Sequence, residues 1–423
     1  MQYSIPRGTY DILPEESPKW HKVIAEFRKL VEAYGYAEIL TPIFEQADLF
    51  ERSSGKSSDV VKKEMYRFTD RKGREFALRP EGTAPVARSY IENRMDIGSL
   101  NKKLYYLGPM FRYDRPQAGR YRQFYQYGVE FIGSNHPYYD AEVIAILWNY
   151  LTGLGLKKLR LELNSVGCPN CSKDYDKALQ SYFQPYLNQL CPDCQERFER
   201  KPRRILDCKV KECQEIAKNV PVQLDYLDTS CIEHFAEVQQ YLDLMKIPFT
   251  INPRIVRGLD YYTNTAFEVI YEGIGAQNAL AGGGRYNGLI EQIGGKNIPA
   301  VGFAGGFERL LLALEEEAIA LPGHPVPEVF IITIGSEAQK IIIPYLNIIR
   351  GKGIYAEYEP DRASLKAQLK AANNSKAFYA LIMGEEEVKQ KSAILKNLES
   401  GEQKLYSLEP ISHLIKAIQN KEI

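Results

Sequence analysis

The chain has 423 residues, which is enough for two or three domains, and 44% of them are hydrophobic, so it can bury a sizeable core. Its 54 Lys and Arg residues balance 54 Asp and Glu residues, which excludes a protein that holds nucleic acid by net positive charge alone. No apolar run reaches the roughly 18 residues of a membrane span, and residues 1–10 lack the apolar stretch of a signal peptide. We therefore expect a cytoplasmic protein with no membrane partner.

The first part of the chain alternates helical periodicity with short strand-like runs. Ser17-Pro18 resembles a helix start, Gly35 a helix end, and Pro42 marks an edge strand. The runs between residues 65 and 133 predict one antiparallel sheet. In chain order the predicted elements are helix 17–34, strand 36–43, strands 65–69, 75–79, 103–113 and 124–132, helix 140–154 and strand 160–164.

The region from Cys168 to Cys231 breaks this rhythm because it is rich in charge and cysteine, which indicates a small inserted subdomain. Strands return over 249–306, and a helix follows over 307–319. The segment Leu321–Pro327 contains three prolines and a glycine, as linkers do. Beyond it a βαβα pattern predicts strands 329–334, 354–358 and 378–383, helices 338–350, 363–372 and 411–420, and a hairpin over 394–408 that turns at Ser400-Gly401. The whole pattern predicts an α+β protein.

Two segments of the predicted sheet carry functional side chains. In Arg79-Pro-Glu-Gly-Thr83, Glu81 and Thr83 project from a turn that, taken alone, is typical of a solvated hairpin. In the second segment, alternation along the strand places Phe124, Gln126 and Glu130 on one face, near a strand-borne Arg112. Two polar groups beside an arginine suit recognition of a small zwitterion, although a surface hairpin would explain the adjoining basic loop.

Two later segments also hold unusual residues. Arg257-Gly-Leu-Asp-Tyr-Tyr262 offers a guanidinium suited to phosphate oxygens, and a structural Arg–Asp pair explains it equally well. Gly282-Gly-Gly-Arg-Tyr286 and Gly302–Arg309 contain glycines that let a ligand approach the backbone, and Gly305-Gly306 precede a helix whose N-terminus favours an anion. Neither glycine segment is a Walker A sequence or a dinucleotide fingerprint.

Together these four segments resemble the histidyl-tRNA synthetase family of class II aminoacyl-tRNA synthetases, from Pro6-Arg-Gly-Thr-Tyr-Asp11 to the C-terminal domain. The first helix and the strand ending at Pro42 would be motif 1, residues 111–130 motif 2 and residues 302–309 motif 3. Residues 257–262 and 281–286 resemble the two signatures of the histidine-specific family. The resemblance rests most specifically on Arg257–Tyr262, because motifs 2 and 3 alone indicate only the class.

The resemblance implies a catalytic domain over 1–165 and 246–320, with a six-stranded antiparallel sheet flanked by helices. It also implies an inserted Cys-rich helical subdomain over 166–245, a linker over 321–327 and an α/β anticodon-binding domain over 328–423. The implied activity activates L-histidine with ATP and Mg²⁺ to histidyl-adenylate, then transfers the histidyl group to tRNA(His). Family members are homodimers.

The resemblance also implies roles for single residues. Arg112 would hold the α-phosphate, Arg309 the γ-phosphate, and Arg257 the α-phosphate from the opposite side. Phe124 would stack on adenine beside Arg120. Asp114 would bind near the adenine, although the family usually has Glu there. The residues implied in histidine binding are Glu81, Gly82, Thr83, Gln126, Glu130, Tyr261 and Tyr262, with Glu130 and Tyr262 on the two imidazole nitrogens.

The inserted segment contains two CxxC pairs, Cys168–Cys171 and Cys191–Cys194, separated by residues 172–190. This spacing fits one four-thiolate zinc site at Cys168, Cys171, Cys191 and Cys194. Reduced structural thiols explain it equally well, the family has no general zinc requirement, and Cys208 and Cys213 complicate the choice of ligands. The basic residues Arg197, Arg200, Lys201, Arg203, Arg204, Lys209 and Lys211 either contact tRNA phosphates or form a solvated charged face.

Two alternatives to a histidine-specific ligase remain. A synthetase-like regulatory subunit of ATP phosphoribosyltransferase would keep the fold, but such paralogues tend to lose the arginines or the C-terminal domain. A class II synthetase for another amino acid is disfavoured by the Arg257–Tyr262 segment. The presence of Arg112, Arg257, Arg309, Glu130 and a full C-terminal region favours the ligase.

Overall fold

The computed structural model describes residues 3–55, 58, 60–206, 208–255, 259, 261–273, 278–362 and 364–423. The predicted phosphate-binding residue Arg257 therefore lies outside the described residues. The chain divides into two compact units, Met1–Pro322 and Gly323–Ile423. Across the described ranges no helix is long and apolar enough to cross a membrane.

The first unit is built around a large mixed sheet. Its strands are β1 (Ala37–Glu38), β2 (Phe44–Gln46), β3 (Arg67–Thr69), β4 (Glu75–Leu78), β5 (Lys102–Phe111), β6 (Gln123–Ile132), β7 (Leu159–Ser165), β8 (Thr250–Ile251), β9 (Thr263–Tyr271), β10 (Ala279–Arg285) and β11 (Ala300–Gly306). Eight of the described strands join in the order β1-β5-β6-β11-β10-β9-β7-β8. The six middle strands are antiparallel, whereas short β1 and β8 add parallel edges. The expected six-stranded antiparallel sheet is confirmed.

The prediction of one antiparallel sheet across residues 65–133 is wrong. Strands β2, β4 and β3 form a separate three-stranded sheet, and a helix, Thr83–Glu92, lies between it and β5. The helix forms because Val86, Ala87 and Tyr90 recur at helical spacing and are buried together. Pro85 is tolerated because it lies in the first turn, where its missing N–H has no helical partner.

Helices cover the sheet and fill the inserted segment. They are α1 (Ser17–Ala33), α2 (Ala47–Ser54), α3 (Thr83–Glu92), α4 (Pro137–Gly153), α5 (Pro169–Phe183), α6 (Pro192–Arg200), α7 (Lys211–Ile216), α8 (Thr229–Leu244), α9 (Leu289–Gln292) and α10 (Phe307–Glu316). Helix α1 buries Val23, Phe27 and Val31 in the main core and ends before Gly35, whose φ of +80° lets the chain leave the helix. Glu16, not Ser17, is its N-cap.

The inserted segment has a small core of its own, formed by α5, α6, α7 and short 3₁₀ turns. Helix α8, which the sequence analysis placed within 166–245, packs instead against α4 and β9. Its Phe235, Val238 and Leu242 belong to the main core of the first unit. The independent part of the insertion therefore ends before α8.

The second unit has the βαβα order that the sequence predicts. Its elements are β12 (Val329–Thr333), α11 (Ser336–Gly351), β13 (Ala356–Tyr358), α12 (Leu365–Asn374), β14 (Tyr379–Met383), α13 (Glu385–Lys389), β15 (Ser392–Asn397), β16 (Gln403–Ser407) and α14 (Ser412–Asn420). The described strands are ordered β13-β12-β14-β15-β16, parallel on one side of β14 and antiparallel on the other. The hairpin turn at Ser400-Gly401 is confirmed, with Gly401 at φ +81°.

Candidate active site

A cavity of about 310 Å³ lies on one face of the large sheet. Alternation along β6 creates this face: Tyr127, Val129 and Phe131 enter the core beneath the helices, whereas Phe124, Gln126 and Glu130 line the cavity. The predicted shared face of β6 is therefore confirmed.

The cavity brings together most of the residues that the sequence singled out. Those that line it are Glu81, Thr83, Arg112, Asp114, Arg120, Phe124, Gln126, Glu130, Tyr261, Tyr262 and Arg309. Gly82 is not among the lining residues. A Cβ there would lie 2.3 Å from the ring of Tyr106, so this glycine permits close packing under the site. Leu259, two residues after Arg257 in the sequence, also lines the cavity.

One end of the cavity holds a buried carboxyl group. Glu130 is only 1% exposed and accepts hydrogen bonds from the hydroxyls of Thr83 (2.7 Å) and Tyr286 (2.5 Å). Burial raises the pKa of Glu130 to about 8, although these two bonds oppose the rise. Its neighbour on β11 is Gly302, where a Cβ would lie 1.8 Å from the Glu130 carboxylate. A side chain at position 302 would displace that carboxylate.

Glu81 and Gln126 complete this end of the cavity. The solvated-turn interpretation of residues 79–83 is wrong, because Glu81 is buried and its carboxylate accepts from the backbone N–H groups of Thr83 (2.6 Å) and Ala84 (3.0 Å) at the start of α3. Burial raises the pKa of Glu81. The Oε1 atom of Gln126 is buried and has no hydrogen-bond partner within the described structure. It is an acceptor available to a ligand that donates.

The other end of the cavity is cationic. The Nε atom of Arg112 donates to the Pro80 carbonyl (2.8 Å). Arg309 donates to the carbonyls of Gly119 (3.3 Å) and Ala279 (2.8 Å). Carbonyl partners orient a guanidinium without neutralising it. Burial, followed by Arg120 and Arg112, lowers the pKa of Arg309, which is the electrostatic sign of crowded positive charge in a site that suits an anion.

Four motif 2 side chains lie at this cationic end. Arg120 forms a 2.7 Å ion pair with Asp114, so the shorter carboxylate at position 114 does reach a partner. The guanidinium of Arg112 lies 5.4 Å from the ring centre of Phe124. An aromatic face, a guanidinium and an ion pair thus form one wall of the cavity.

Several polar lining residues were not singled out from the sequence, among them Tyr286, Glu308 and Glu268. Tyr286 positions Glu130, as described above. Glu308 accepts from the Tyr10 hydroxyl (2.9 Å) and the Tyr125 N–H (2.8 Å), and burial raises its pKa to about 7. Glu268 lines the cavity from β9. Tyr286 and Glu308 lie inside segments already singled out, next to the glycines and next to Arg309, which is the signal that could have identified them.

Arg285 belongs to the structure rather than to the cavity. It is fully buried, and its Nε atom donates to Asp140 on α4 (3.0 Å). The ring of His234 on α8 lies 3.5 Å from the same carboxylate. This pair joins β10 to the helices beneath the sheet.

The seven cysteines form two groups, whereas the CxxC spacing also fitted a single site at Cys168, Cys171, Cys191 and Cys194. Ligand atoms of Cys191, Cys194, Cys208 and Cys213 lie within 4.8 Å of one another, and so do those of Cys168, Cys171, Asp228 and Cys231. The grouping of the two CxxC pairs is therefore corrected: each pair joins ligands from farther along the chain.

The comparisons with known proteins agree with this arrangement. The family model "Histidyl-tRNA synthetase" matches residues 8–310, and the model "Anticodon binding domain" matches residues 328–421. A histidine–tRNA ligase of Pelotomaculum thermopropionicum is 50% identical over 406 residues, covering 96% of each chain. The crystal structure of apo S. aureus histidyl-tRNA synthetase has a TM-score of 0.84 at 40% identity and covers 98% of this chain and 100% of that one.

A more distant structure shares the fold. It is described as an ATP phosphoribosyltransferase regulatory subunit/histidyl-tRNA synthetase from Bacillus halodurans, with a TM-score of 0.64 at 20% identity over 91% of this chain and 97% of that one. The antiparallel sheet with its arginine-lined cavity and the separate α/β unit are those of a class II aminoacyl-tRNA synthetase. Within that class, the chain belongs to the histidyl-tRNA synthetase family.

Proposed function

We propose that this chain is a histidine–tRNA ligase, which activates L-histidine with ATP and transfers the histidyl group to tRNA(His). The observation that carries the proposal is one cavity with buried Glu81 and Glu130 at one end and Arg112, Arg120 and Arg309 at the other. An amino acid and a nucleoside triphosphate require this division of charge. Strong similarity over the full chain to histidine–tRNA ligases supports the assignment.

In the activation step, a histidine carboxylate oxygen attacks the α-phosphorus of ATP, the bond to the β-phosphate breaks, and pyrophosphate leaves. Negative charge shifts among phosphate oxygens, so fixed cations supply much of the catalysis. Arg112 and Arg257 hold the α-phosphate, and Arg309 holds the γ-phosphate. Because Arg112 and Arg309 are oriented by carbonyl groups, their charge is available to the phosphates without reorganisation.

The cavity wall beside these arginines binds adenine. The Phe124 ring stacks on the base, and the Asp114–Arg120 pair lies near it. A Mg²⁺ ion bound with the triphosphate would need oxygen ligands. The carboxylate of Glu268, which lies close enough to Arg309 to affect its pKa, fits that preference. When bound, the ion would neutralise part of the phosphate charge.

The end of the cavity that contains Glu81 and Glu130 binds histidine. Gln126 Oε1, unpartnered within the described residues, accepts a hydrogen bond from the substrate ammonium group, and Glu81 and Thr83 lie beside it. Glu130 and Tyr262 bind the two imidazole nitrogens, while Tyr261 and Tyr286 wall the ring. Replacing imidazole with an alkyl or phenyl group would leave these buried groups unpaired, which discriminates by about 10⁴-fold or more in comparable sites.

A second cavity supports tRNA binding beside the reaction site. It is lined by Arg200, Lys201, Arg203 and Arg204 of the insertion and shares Leu259 and Tyr262 with the first cavity. A basic surface that continues into the site suits the phosphates of a tRNA acceptor end. Unstacked anticodon bases are read by the second unit through edge contacts and stacking. We further propose that the chain acts as a cytoplasmic homodimer, with the domain boundaries that the resemblance implies except that α8 belongs to the catalytic domain.

The direct test is ATP–pyrophosphate exchange with the purified full chain. We expect exchange that depends on histidine and that other amino acids do not support. Arg112→Ala and Arg257→Ala should lower it by about 10²–10³-fold, the usual cost of one transition-state donor. Arg115→Ala is the matched control, because Arg115 lies in the same loop but is exposed and does not line the cavity.

Two results would contradict the proposal. Exchange driven by a different amino acid would identify another specificity. Absence of exchange, with binding to a phosphoribosyltransferase, would favour the regulatory subunit. Neutralising Arg200 and Arg204 together should weaken tRNA binding and reduce its dependence on salt, whereas unchanged tRNA affinity would remove the insertion from the binding surface.

A further inference from the structure

The inserted segment gathers every cysteine of the chain into two separate clusters. The distal cluster consists of Cys191, Cys194, Cys208 and Cys213, and the base cluster consists of Cys168, Cys171, Asp228 and Cys231. No disulfide joins these cysteines in the described structure. Four of the seven cysteines form the distal cluster, and the other three form the base cluster together with the carboxylate of Asp228.

The distal cluster has the dimensions of a tetrahedral thiolate site. Zinc–sulfur bonds of about 2.3 Å place tetrahedral sulfurs about 3.8 Å apart. The sulfurs of Cys191 and Cys208 are 3.8 Å apart, and all four lie within 4.8 Å of one another. The spacings from Cys191 to Cys194 and from Cys208 to Cys213 enclose two and four residues, as paired zinc ligands do.

The surroundings of the distal cluster suit a bound cation. Cys191 is the N-cap of α6, where the helix dipole stabilises negative charge. Its backbone N–H donates to the sulfur of Cys213 (3.3 Å). Cys194 and Cys213 are fully buried. Four neutral thiols would meet there with only weak hydrogen bonds, whereas a bound cation satisfies all of them.

The distal cluster also occupies the place where the insertion needs stabilisation. Cys194, Cys208 and Cys213 belong to the small core formed by α5 to α7. Between Cys168 and Asp228 no strand occurs in the residues that the structure describes. A short helical segment with so small a core commonly depends on a structural metal.

The base cluster has the same features at a different place. The sulfur of Cys171 lies 3.6 Å from that of Cys168 and 3.8 Å from that of Cys231. Asp228 Oδ2 lies 3.1 Å from the Cys168 sulfur, and the Asp228 N–H donates to the Cys171 sulfur (3.1 Å). Three sulfurs and one carboxylate oxygen are a zinc ligand set, since zinc accepts both.

The position of the base cluster indicates its purpose. Cys168 is the N-cap of α5, shortly after β7, and Asp228 is the N-cap of α8. The cluster therefore joins the first residues of the insertion to the residues where the chain returns to the main core. The Nδ2 atom of Asn264, near the start of β9, donates to the Cys231 sulfur (3.4 Å). Asn264 follows Tyr262 by two residues, so the cluster lies next to the strand that leads from the histidine-specific signature.

We propose that the chain binds two structural zinc ions, one at the distal cluster through four thiolates and one at the base cluster through three thiolates and Asp228. Each site is closed by four protein ligands and has no open position for a substrate, as structural zinc sites require. The proposal concerns the architecture of the insertion and is independent of the proposed ligase activity.

Metal analysis of the purified full chain tests both sites. The wild type should contain two zinc ions per chain, Cys213→Ser one, Cys231→Ser one, and the double variant none. Asp193→Asn and Asn170→Ala are matched controls, because these residues lie inside the two CxxC turns without belonging to either cluster. Both controls should retain two ions.

X-ray absorption at the zinc edge distinguishes the sites. Cys231→Ser should show four sulfur ligands, and Cys213→Ser three sulfurs and one oxygen. If a variant fails to fold, the wild-type chain alone tests the number of sites. Treatment with a thiol-modifying mercurial should then release two equivalents of zinc, measured with a chromogenic chelator. Metal-free wild type, a single ion that both substitutions remove, or iron with visible charge-transfer absorption would each overturn the proposal.

Discussion

Two buried arginines of the first unit have opposite surroundings. Arg285, beneath the sheet, is paired with the Asp140 carboxylate and has no contact with solvent. Arg309, at the cationic end of the cavity, is held by two backbone carbonyls and lies near other guanidiniums. Arg285 ends the glycine-rich strand β10, and Arg309 lies three residues after the glycine-rich strand β11. The two arginines therefore differ in their hydrogen-bond partners rather than in their local sequence. A carboxylate partner makes the charge of Arg285 part of the fold, whereas carbonyl partners leave the charge of Arg309 available to a ligand.

The largest expected effect tests the structural side of this comparison. Arg285→Leu should lower the free energy of unfolding by about 3–5 kcal/mol, because it leaves the Asp140 carboxylate buried without its main partner. Denaturant titration followed by tryptophan fluorescence measures this, since both tryptophans, Trp20 and Trp148, pack in the first unit. The double variant with Asp140→Leu should lose less than the sum of the two single variants. Additive losses would show that the pair is not coupled.

Arg309→Ala tests the functional side and should act in the opposite way. We expect pyrophosphate exchange to fall by about 10²–10³-fold while the unfolding curve stays close to that of the wild type, because the two carbonyls can turn to water that enters the cavity. Arg309→Lys should recover only part of the activity, since an ammonium group cannot make the same forked contacts. A large loss of stability with unchanged exchange would reverse the roles given to Arg285 and Arg309.

The smallest expected effect concerns Glu130, the buried carboxyl group at one end of the cavity. The pKa of Glu130 is about 8 in the folded chain and about 4.3 in the unfolded one. Between these values the unfolded state is ionised and the folded state is protonated, so the stability from Glu130 falls as pH rises, until about pH 8. Without substrates, Glu130→Gln should therefore gain thermal midpoint relative to the wild type between pH 6 and pH 8.5.

The control for that measurement is Glu237→Gln, an exposed carboxylate on α8. Its midpoint should follow the wild type at every pH. A Glu130→Gln difference that stays constant across the range would mean that Glu130 is ionised in the empty site.

Local patterns predicted much of the fold. Helix α1 and the β6 alternation follow directly from the periodicity of their apolar residues, and Gly35 and Gly401 lie at positive φ where the sequence placed turns. The sequence does not predict helix α3, because the residues that lead into it, Arg79–Thr83, include a proline and a glycine, which are typical of a turn. Only tertiary packing shows that Glu81 is buried and that it accepts hydrogen bonds from the first N–H groups of a helix.

The site could be predicted only in part, for a related reason. Arg112, Glu130 and Arg309 stand in segments whose residue types are unusual for a core, so the sequence indicates them. The position of Tyr286 over Glu130 and the regrouping of Cys208, Cys213 and Cys231 depend on which distant segments meet. Spacing along the chain cannot supply that information, which is why one site at the two CxxC pairs fitted the sequence although the pairs lie in different clusters.

Strands β7 and β9 are sheet neighbours although the whole inserted segment lies between them in sequence. The register of this pair, from Leu159 opposite Tyr271 to Ser165 opposite Thr265, is that of an ordinary hairpin. The part of the insertion before α8 thus lies outside this strand pairing, and changes in its length or surface need not alter the register of the sheet that forms the floor of the cavity. A segment of different length in that place is therefore compatible with the same pairing of β7 and β9.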